Sequence, residues 1–429
     1  MSLVLLVVPA VTALRLLLDD ALRGHDIAPT VLDWHAALAR RIGPWARERV
    51  ASARATQLDV RDVSGTEWPM FGAVFYLWAS EAVQAKWERD GSRGISPARR
   101  DAESLAAVAA LVADPGHADW VRRHWGDAYL ERNNLFYRML LVAGLDSYER
   151  LSGDITHHRL LAAQVRSLAA EFDASPHGLL EDYPGETYGV DVYVAYAALA
   201  RARERLGMVD DGWLARGARA FDASTHDSDV ALPAYFLTDG GVPLGPARGV
   251  GLSMMLAWSP TTWPAMGEAW YARYVELFWQ ERGGFAGFRE FARGSAWPDW
   301  MLEVDAGPVF AGYGTAASAF GLAAARTHGD MDRAYALTSE ALLAALPMPD
   351  GTLLVPRLLS NAVDAPYTGE AALLFALTRT PAGQVAPATR ATPVGVWVAI
   401  ALMLAVGIGD PAWRVVRLLR AGRTGRGIA

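Results

Sequence analysis

The 429-residue sequence contains no cysteine. This absence excludes disulfide frameworks, thiolate nucleophiles, thiolate zinc sites and cysteine-ligated iron–sulfur clusters, while leaving the redox compartment open. Basic residues are also in slight deficit, since 40 Lys and Arg face 47 Asp and Glu. A nucleic-acid binder needs a basic patch that releases counterions from phosphates, so the charge balance argues against nucleic acid as a partner.

The sequence motifs that hold common cofactors are missing as well. The chain has no Gly-rich phosphate loop, no serine elbow and no dinucleotide fingerprint. Its nine histidines form no convincing metal set: His157 and His158 are adjacent, and His117 and His124 follow a Pro-Gly pair that predicts a loop. We therefore expect no cofactor and no metal site.

Regular alternation of β-branched residues is nearly absent, whereas Ala, Leu, Arg and Glu recur at three- and four-residue spacing. Segments starting at Phe136, Val190 and Ala317 share one form, in which an apolar helix, a small polar turn and a more charged helix follow one another. The turns Gly153-Asp154 and Gly329-Asp330 occupy corresponding places, with Gly as a C-terminal cap and Asp as the next N-cap. About six such helical hairpins fit between residues 30 and 380.

Six hairpins of this size typically close into a ring, because each hairpin alone leaves an apolar face exposed. The sequence therefore predicts an all-α fold, an (α/α)6 toroid of helical hairpins with terminal hydrophobic membrane helices. In such a ring the loops before the inner helices gather at one mouth. Polar residues just upstream of an inner helix should then be neighbours in space.

Both ends of the chain are apolar. Residues 391–409 carry no charge and are just long enough for a bilayer span, and the arginines that follow predict a cytoplasmic tail. The alternatives are a tail helix packed against the domain and an amphipathic helix on the membrane surface from Trp413 to Leu419. Residues 3–14 have the length of a signal-peptide core, so this segment is predicted to be cleaved, to span, or to pack in the core. We expect a cell-membrane protein whose main domain is extracytoplasmic. The predicted division is an anchor or signal-like segment at 1–24, the barrel at 25–380, a linker at 381–390, a transmembrane helix at 391–409 and a basic tail at 410–429.

The densest group of acids precedes one apolar helix, where Glu186 and Asp191 lie close to Tyr188. Carboxylates there can simply cap the helix. Alternatively, a closely held pair of carboxyls splits its pKa values, so that one donates a proton and the other accepts one. We choose Glu186 or Asp191 as the acid, with Tyr188 assisting.

Two further acidic positions, at Glu67 and Asp305, precede predicted inner helices and complete the catalytic candidates. Asp305 directly precedes the uncharged segment 306–325, which we interpret as a packed inner helix. Substrate-binding candidates are polar or aromatic residues that precede or begin inner helices: Glu303, Tyr137, Asn134, Trp68, Tyr76, Arg248, Tyr313 and Glu370. Arg248, in a Gly/Pro-rich loop, is either an anion ligand or a solvated side chain.

Residues 134–154, residues 180–202 and the Asp-Ala-Gly-Pro-Val segment at 305–309 resemble the central toroid of linalool dehydratase/isomerase-like proteins. The resemblance covers roughly residues 67–377. It implies an (α/α)6 barrel around an apolar cavity, where acid–base residues that include cysteines add or remove water at an allylic alcohol. Because this chain has no cysteine, the resemblance implies only the barrel and a cofactor-free acid–base cavity. The toroid is also similar to that of glycan-active hydrolases and lyases, which use paired carboxylates and aromatic platforms.

The sequence thus predicts a membrane-tethered, cofactor-independent acid–base enzyme of the lyase/isomerase type, acting on an apolar isoprenoid-like or lipid-like alcohol. The alternatives are a glycoside hydrolase or polysaccharide lyase on an envelope glycan, and a non-catalytic membrane-anchored binding module. The expected partners are a small apolar or glycan substrate and the lipid bilayer. The sequence makes no prediction of oligomeric state.

Overall fold

The computed structural model describes residues 2–59, 61–208 and 212–424, with side chains from residue 5 to residue 409, and it is mostly helical. The predicted all-α class is confirmed. Three short 3-10 helices lie at Asp20–Arg23, Arg54–Gln57 and Gly126–Ala128. The α-helices are α1 (Ser2–Leu18), α2 (Pro29–Ala51), α3 (Val63–Thr66), α4 (Trp68–Arg89), α5 (Pro97–Arg100), α6 (Ala102–Ala113), α7 (Asp119–Trp125), α8 (Leu135–Ser152), α9 (His158–Ala174), α10 (Gly189–Arg205), α11 (Trp213–Ser224), α12 (Gly249–Leu256), α13 (Ser259–Thr262), α14 (Pro264–Phe278), α15 (Thr315–Thr327), α16 (Met331–Ala345), α17 (Leu354–Ala362), α18 (Thr368–Thr378) and α19 (Val394–Thr424).

Short antiparallel strands occupy the loops between helices. They are β1 (Thr187–Tyr188), β2 (His226–Asp227), β3 (Leu232–Pro233), β4 (Phe236–Leu237), β5 (Trp279–Arg282), β6 (Phe285–Phe288), β7 (Met301–Glu303), β8 (Gly307–Phe310) and β9 (Tyr313–Gly314). β1 pairs with β4, β2 with β3 and β5 with β6, while β7, β8 and β9 form a three-stranded sheet. The pairing of β1 with β4 ties the loop before α10 to the loop before α12.

Six helices are buried on nearly all sides and contact one another in succession. α4 contacts α8, α8 contacts α10, α10 contacts α12, α12 contacts α15, α15 contacts α18, and α18 contacts α4. Every residue of α12 is buried, as is the run from Leu135 to Glu149 in α8. A helix that is apolar all round belongs in a core, so these six form the inner layer of the fold.

Helices with one buried face cover this inner layer. α2 packs on α6 and α18, α9 on α8 and α10, α14 on α12, and α16 on α15. Aromatic rings fill the space between inner helices: Phe75 lies 4.2 Å from Phe71, 5.5 Å from Phe320 and 5.3 Å from Phe375, measured between ring centroids. The heavy aromatic content of the sequence therefore serves largely as core.

The segment 306–325, predicted as one inner helix, is helical only from Thr315. Residues before it form β8 and β9. Gly307 and Gly312 have φ angles of 62° and 85°, a left-handed conformation that favours glycine and turns the chain out of a helix. The prediction was wrong over this first part because Gly and Ala alone do not distinguish a tight hairpin from a packed helix.

The predicted transmembrane helix at 391–409 is wrong. Among the described residues, no helix combines the length and the hydropathy needed to cross a bilayer. α19 begins only at Val394, so sixteen uncharged residues precede Asp410, against the roughly 20 that a span requires. One side of this stretch is covered by protein, since Val396 and Ile400 are buried.

The N-terminal segment also packs against protein. α1 contacts α19 and α16, and Val8, Thr12 and Leu16 form a buried stripe at four-residue spacing. The same finding overturns the predicted membrane anchor at 1–24 and the predicted location of the protein in the cell membrane. The alternative for this segment, a signal-like sequence, stays a prediction. Of the predicted basic tail, residues 425–429 lie outside the described residues.

Candidate functional site

The predicted acidic segments lie at the N-terminal ends of inner helices. Glu67 directly precedes α4, and Asp191 lies in the first turn of α10. Glu186 precedes β1, and Glu303 ends β7 two residues before Asp305. The Tyr183 hydroxyl bonds to Glu67, the Tyr188 ring packs against Tyr235, and the Tyr235 hydroxyl bonds to Asp305. These loops therefore meet at one end of the inner layer, which we call the mouth.

Glu67 is a buried carboxyl at the centre of this mouth, with 8% of its surface exposed. Its Oε1 accepts a hydrogen bond from the Tyr183 hydroxyl. Burial, together with the negative charges of Asp305 and Glu186, raises the pKa of Glu67 to about 8, although the hydrogen bond from Tyr183 opposes the rise. Glu67 therefore holds a proton at neutral pH.

Asp182 and Asp191 form a second pair of interacting acids. Asp182 is buried, and one carboxylate oxygen, Oδ2, accepts a hydrogen bond from the Tyr188 backbone N–H at 2.7 Å, whereas Oδ1 has no partner among the described residues. Burial and the charge of Asp191 raise the pKa of Asp182. Burial, then Asp305 and Glu67, raise the pKa of Asp191. Asp191 is half-buried, so part of its side chain is exposed at the mouth and protein covers the rest.

Tyr188 and Glu186 lie on the rim of the mouth. The Tyr188 hydroxyl donates a hydrogen bond to Glu186 Oε2 at 3.3 Å, and Glu186 is exposed. The Tyr188 ring packs edge-on to Tyr235 with centroids 5.5 Å apart. Burial and the charge of Glu186 raise the pKa of Tyr188, which keeps the phenol protonated.

Arg248 is the cation of the mouth, and it binds carboxylates of the chain itself. Its Nε donates to Glu290 Oε1 at 2.7 Å, and its Nη2 donates to Glu303 Oε2 at 2.7 Å. Burial opposes the charged guanidinium, but the hydrogen bond to Glu303 and the charge of Glu290 raise the pKa of Arg248 above its usual value. Neither predicted role, as anion ligand or solvated side chain, describes this bridging position.

Glu303 and Asp305, the other acids of the mouth, have different surroundings. Glu303 also accepts hydrogen bonds from the backbone N–H groups of Asp305 and Ala306, and although burial opposes ionisation, the bond to Arg248 lowers the pKa of Glu303. Asp305 is exposed at the rim and accepts a hydrogen bond from the Tyr235 hydroxyl at 2.9 Å. Protein on its other sides desolvates it, and that burial, with the charge of Glu303, raises the pKa of Asp305.

Three predicted substrate-binding residues face other parts of the fold. Tyr76 is fully buried and stacks on His35 of α2, with ring centroids 5.4 Å apart. Tyr137 packs edge-on to Trp120 of α7. Glu370 is buried and binds Arg41 at 3.0 Å and Arg357 at 3.4 Å. Their contacts lie between the inner and outer layers, so the structure places them away from the mouth.

The other candidates have local roles in the described contacts. Asn134 Nδ2 donates to the Tyr129 carbonyl at 2.8 Å. The Tyr313 hydroxyl donates to the Phe285 carbonyl and accepts from the Arg282 N–H, which fixes the β5–β6 hairpin. Trp68 is half-buried, and its carbonyl accepts a hydrogen bond from Thr368 at the start of α18.

Four residues of the mouth were not among the predicted site residues: Asp182, Tyr183, Tyr235 and Glu290. Asp182 and Tyr183 belong to the same acidic motif as Glu186, so that motif carried a signal for them. Tyr235 comes to the mouth through the β1–β4 pairing, in which Tyr188 lies opposite Phe236. Two-residue strands leave no alternation in the sequence, so nothing pointed to Tyr235.

Among the residues that the structure describes, no group of three or more acidic or histidine side chains is arranged to hold a metal ion. Comparison with protein-family models and with curated proteins found no match for this chain. The function must therefore be inferred from the mouth itself.

Proposed function

We propose that α4, α8, α10, α12, α15 and α18 are the inner helices of an (α/α)6 toroid that extends over residues 25–380. The succession of contacts from α4 to α18 and back to α4 supports a closed ring. Outer helices follow or precede each inner helix along the chain, as hairpins in such a ring require. The acidic mouth is then the end of the ring at which the inner helices begin.

The proposed activity is general acid–base catalysis of the lyase/isomerase type on an alcohol, without a cofactor. The observation that carries it is the group of carboxyls at the mouth, in which Glu67 and Asp182 are buried and bonded to the loop that holds Asp191. Burial and neighbouring charges raise the pKa of Glu67, Asp182 and Asp191, which favours the protonated form that a general acid needs. Of the three, Asp191 is the most exposed. We assign it as the proton donor, because burial and the charges of Asp305 and Glu67 raise its pKa.

In the forward step, Asp191 gives its proton to the substrate hydroxyl, and the carbon–oxygen bond breaks with release of water. Glu186, exposed on the rim and held by Tyr188, accepts a proton from the neighbouring carbon as the carbon–carbon double bond forms. Hydration is the same step reversed, and readdition of water at another carbon gives isomerisation. In each dehydration Asp191 thus loses one proton and Glu186 gains one.

The mouth offers apolar surface below its acids. Phe71 lies one helical turn after Glu67, so both side chains project from the same face of α4. Phe71 and Phe320 are half-buried, and each stacks on Phe75. These rings suit the apolar body of an isoprenoid-like alcohol whose hydroxyl points up to Asp191.

The test compares the wild-type protein with the Asp191→Asn variant. Gas chromatography measures the dehydration of allylic alcohols and the hydration of the corresponding alkenes. Loss of a general acid is expected to lower turnover by about 10²- to 10⁴-fold. Glu276→Gln, which alters an exposed ion pair of α14, serves as the matched control and should retain full turnover. Equal turnover by wild type and Asp191→Asn would overturn the assignment.

A second candidate is hydrolysis or elimination at a glycan. The exposure of Glu186 and Asp305 on an open rim favours it, as does the tyrosine-rich rim, because sugar rings stack on aromatic side chains. Release of reducing ends or unsaturated products from oligosaccharides, with no reaction of alcohols, would select this alternative.

A further inference from the structure

A cavity of about 440 Å³ opens at the end of the molecule opposite the acidic mouth. Trp78, which lines it, lies ten residues after Trp68 in α4, or about 15 Å further along the helix. Its walls come from the C-terminal halves of α4 and α10, from Trp258 after α12, and from Arg379 after α18. Phe75 and Phe375 lie between this cavity and the mouth, so the two sites are separate.

The walls combine small and flat side chains with arginines. Alanines of α4 and α10, including Ala85 and Ala200, leave the space open. Trp258 is buried, and the Arg379 guanidinium lies 4.3 Å above its ring, with Arg201 at 5.5 Å. The volume falls within the range of small-molecule sites, and walls of alanine leave room for a flat or apolar ligand.

The arginines outnumber their acidic partners. Arg201 forms an ion pair with Glu81, but among the described residues no carboxylate lies within 4.0 Å of Arg379. One Arg379 N–H group, at Nη2, donates to the Ala257 carbonyl at 2.9 Å and so caps the end of α12. The buried Nε of Arg379 and the buried Nε1 of Trp258 have no acceptor among the described residues. A guanidinium offers five donors, so most of its binding capacity is unused.

The charges around Arg379 also favour an anionic ligand. Arg201 lies close enough that, after burial, its positive charge lowers the pKa of Arg379, while Glu81 opposes the change. Glu204, the other acid of the wall, is exposed at the rim and is solvated. A ligand carboxylate between the two guanidiniums would relieve their repulsion and pair with the Arg379 guanidinium.

We propose that this cavity binds a small organic carboxylate with a flat or apolar body, whose carboxylate pairs with Arg379 and whose body lies along the alanines of α4 and α10. The site is independent of the acidic mouth and of the activity assigned to it.

Isothermal titration calorimetry with benzoate tests this proposal, with benzyl alcohol as the neutral probe of the same shape and inorganic phosphate as the anion without a flat body. Saturable binding of benzoate, at least about tenfold tighter than that of either other probe, is expected. Equal affinity for benzyl alcohol, or no saturable binding of benzoate, overturns the proposal. Tighter binding of phosphate than of benzoate overturns the ligand class.

Variants locate the binding. Arg379→Gln should weaken benzoate binding by about tenfold or more, whereas Arg390→Gln, which alters an arginine paired with Glu281 elsewhere on the surface, should leave it unchanged. If Arg379→Gln does not fold, Ala85→Leu decides, because it fills the cavity from a helix surface without removing a charge. Retention of wild-type affinity in Ala85→Leu overturns the location.

Discussion

The Tyr183 hydroxyl donates a hydrogen bond to Glu67, although 116 residues separate the two in the chain. Tyr183 belongs to the acidic loop before α10, and Glu67 directly precedes α4. The bond therefore joins the acidic loop before α10 to the start of α4. It also favours the ionised form of Glu67, against the burial that keeps Glu67 protonated.

Replacement of Tyr183 by Phe should move the pKa of Glu67 further above its value of about 8. The physical reason is that the hydroxyl stabilises the carboxylate, and phenylalanine cannot donate a hydrogen bond. Carbon-13 NMR of the labelled Glu67 carboxyl measures the change. Tyr188→Phe, which removes a bond to Glu186 instead, is the comparison variant and should shift Glu67 less. A downward shift in Tyr183→Phe would contradict the assignment.

The stability of Glu67→Gln should increase relative to that of wild type as the pH rises from 4.5 to about 8. The folded-state pKa of Glu67 is about 8, above its unfolded value of 4.5, so the folded state binds more protons in this window. The contribution of Glu67 to stability is present below pH 4.5 and is lost as pH rises to about 8. The variant lacks this loss, which amounts to about 5 kcal/mol of unfolding free energy. Urea unfolding at several pH values measures it, and parallel profiles for both proteins would refute the raised pKa.

Glu370→Gln should destabilise the fold while leaving turnover per folded molecule intact. Glu370 is buried between Arg41 and Arg357 and also accepts the Leu353 N–H at 3.0 Å. Removing one partner of a buried pair leaves the arginines uncompensated, so a loss of roughly 2–4 kcal/mol is expected in urea unfolding. Glu276→Gln, in an exposed pair, should lose less than about 1 kcal/mol. A selective loss of turnover in Glu370→Gln would instead return this residue to the active site.

Arg248→Gln should loosen the β7–β8 hairpin and raise the pKa of Glu290 above its value of about 7. Burial raises the pKa of Glu290, and the neighbouring guanidinium is what holds it down. Arg248 also fixes Glu303 at the end of β7. Amide hydrogen exchange over residues 301–310 should become faster, with exchange in α9 as the internal reference. Unchanged exchange at 301–310 would show that Arg248 does not hold the hairpin.

Much of the fold could be predicted because helical periodicity is local. The three- and four-residue spacing of apolar positions and the cap at Gly153 mark helices directly, and Gly153 indeed has a positive φ of 71° at the end of α8. The position of Tyr76, which faces α2, could not be predicted from this periodicity. α4 is apolar on nearly every side, so the sequence does not indicate which residues face the other inner helices and which face α2.

For the acidic mouth, the sequence could predict which segments come together, but not which acids are buried there. Placement before inner helices predicted that Glu67, Asp191 and Asp305 would be neighbours in space, and the bonds from Tyr183 to Glu67 and from Tyr235 to Asp305 join the loops that carry them. Which acids are buried depends on short strands and single hydrogen bonds, such as the one from the Tyr188 N–H to Asp182, and these leave no periodic pattern. The apolar ends misled for a related reason, because composition alone does not show that Val396 is covered by protein.

The most direct test is infrared difference spectroscopy of the carboxyl groups at neutral pH, which needs no substrate. A protonated carboxyl has a carbonyl stretch distinct from that of a carboxylate. We predict this band in the wild-type protein and a weaker band in Asp191→Asn and in Glu67→Gln. A wild-type spectrum with every carboxyl ionised at neutral pH would contradict the proposed acid chemistry.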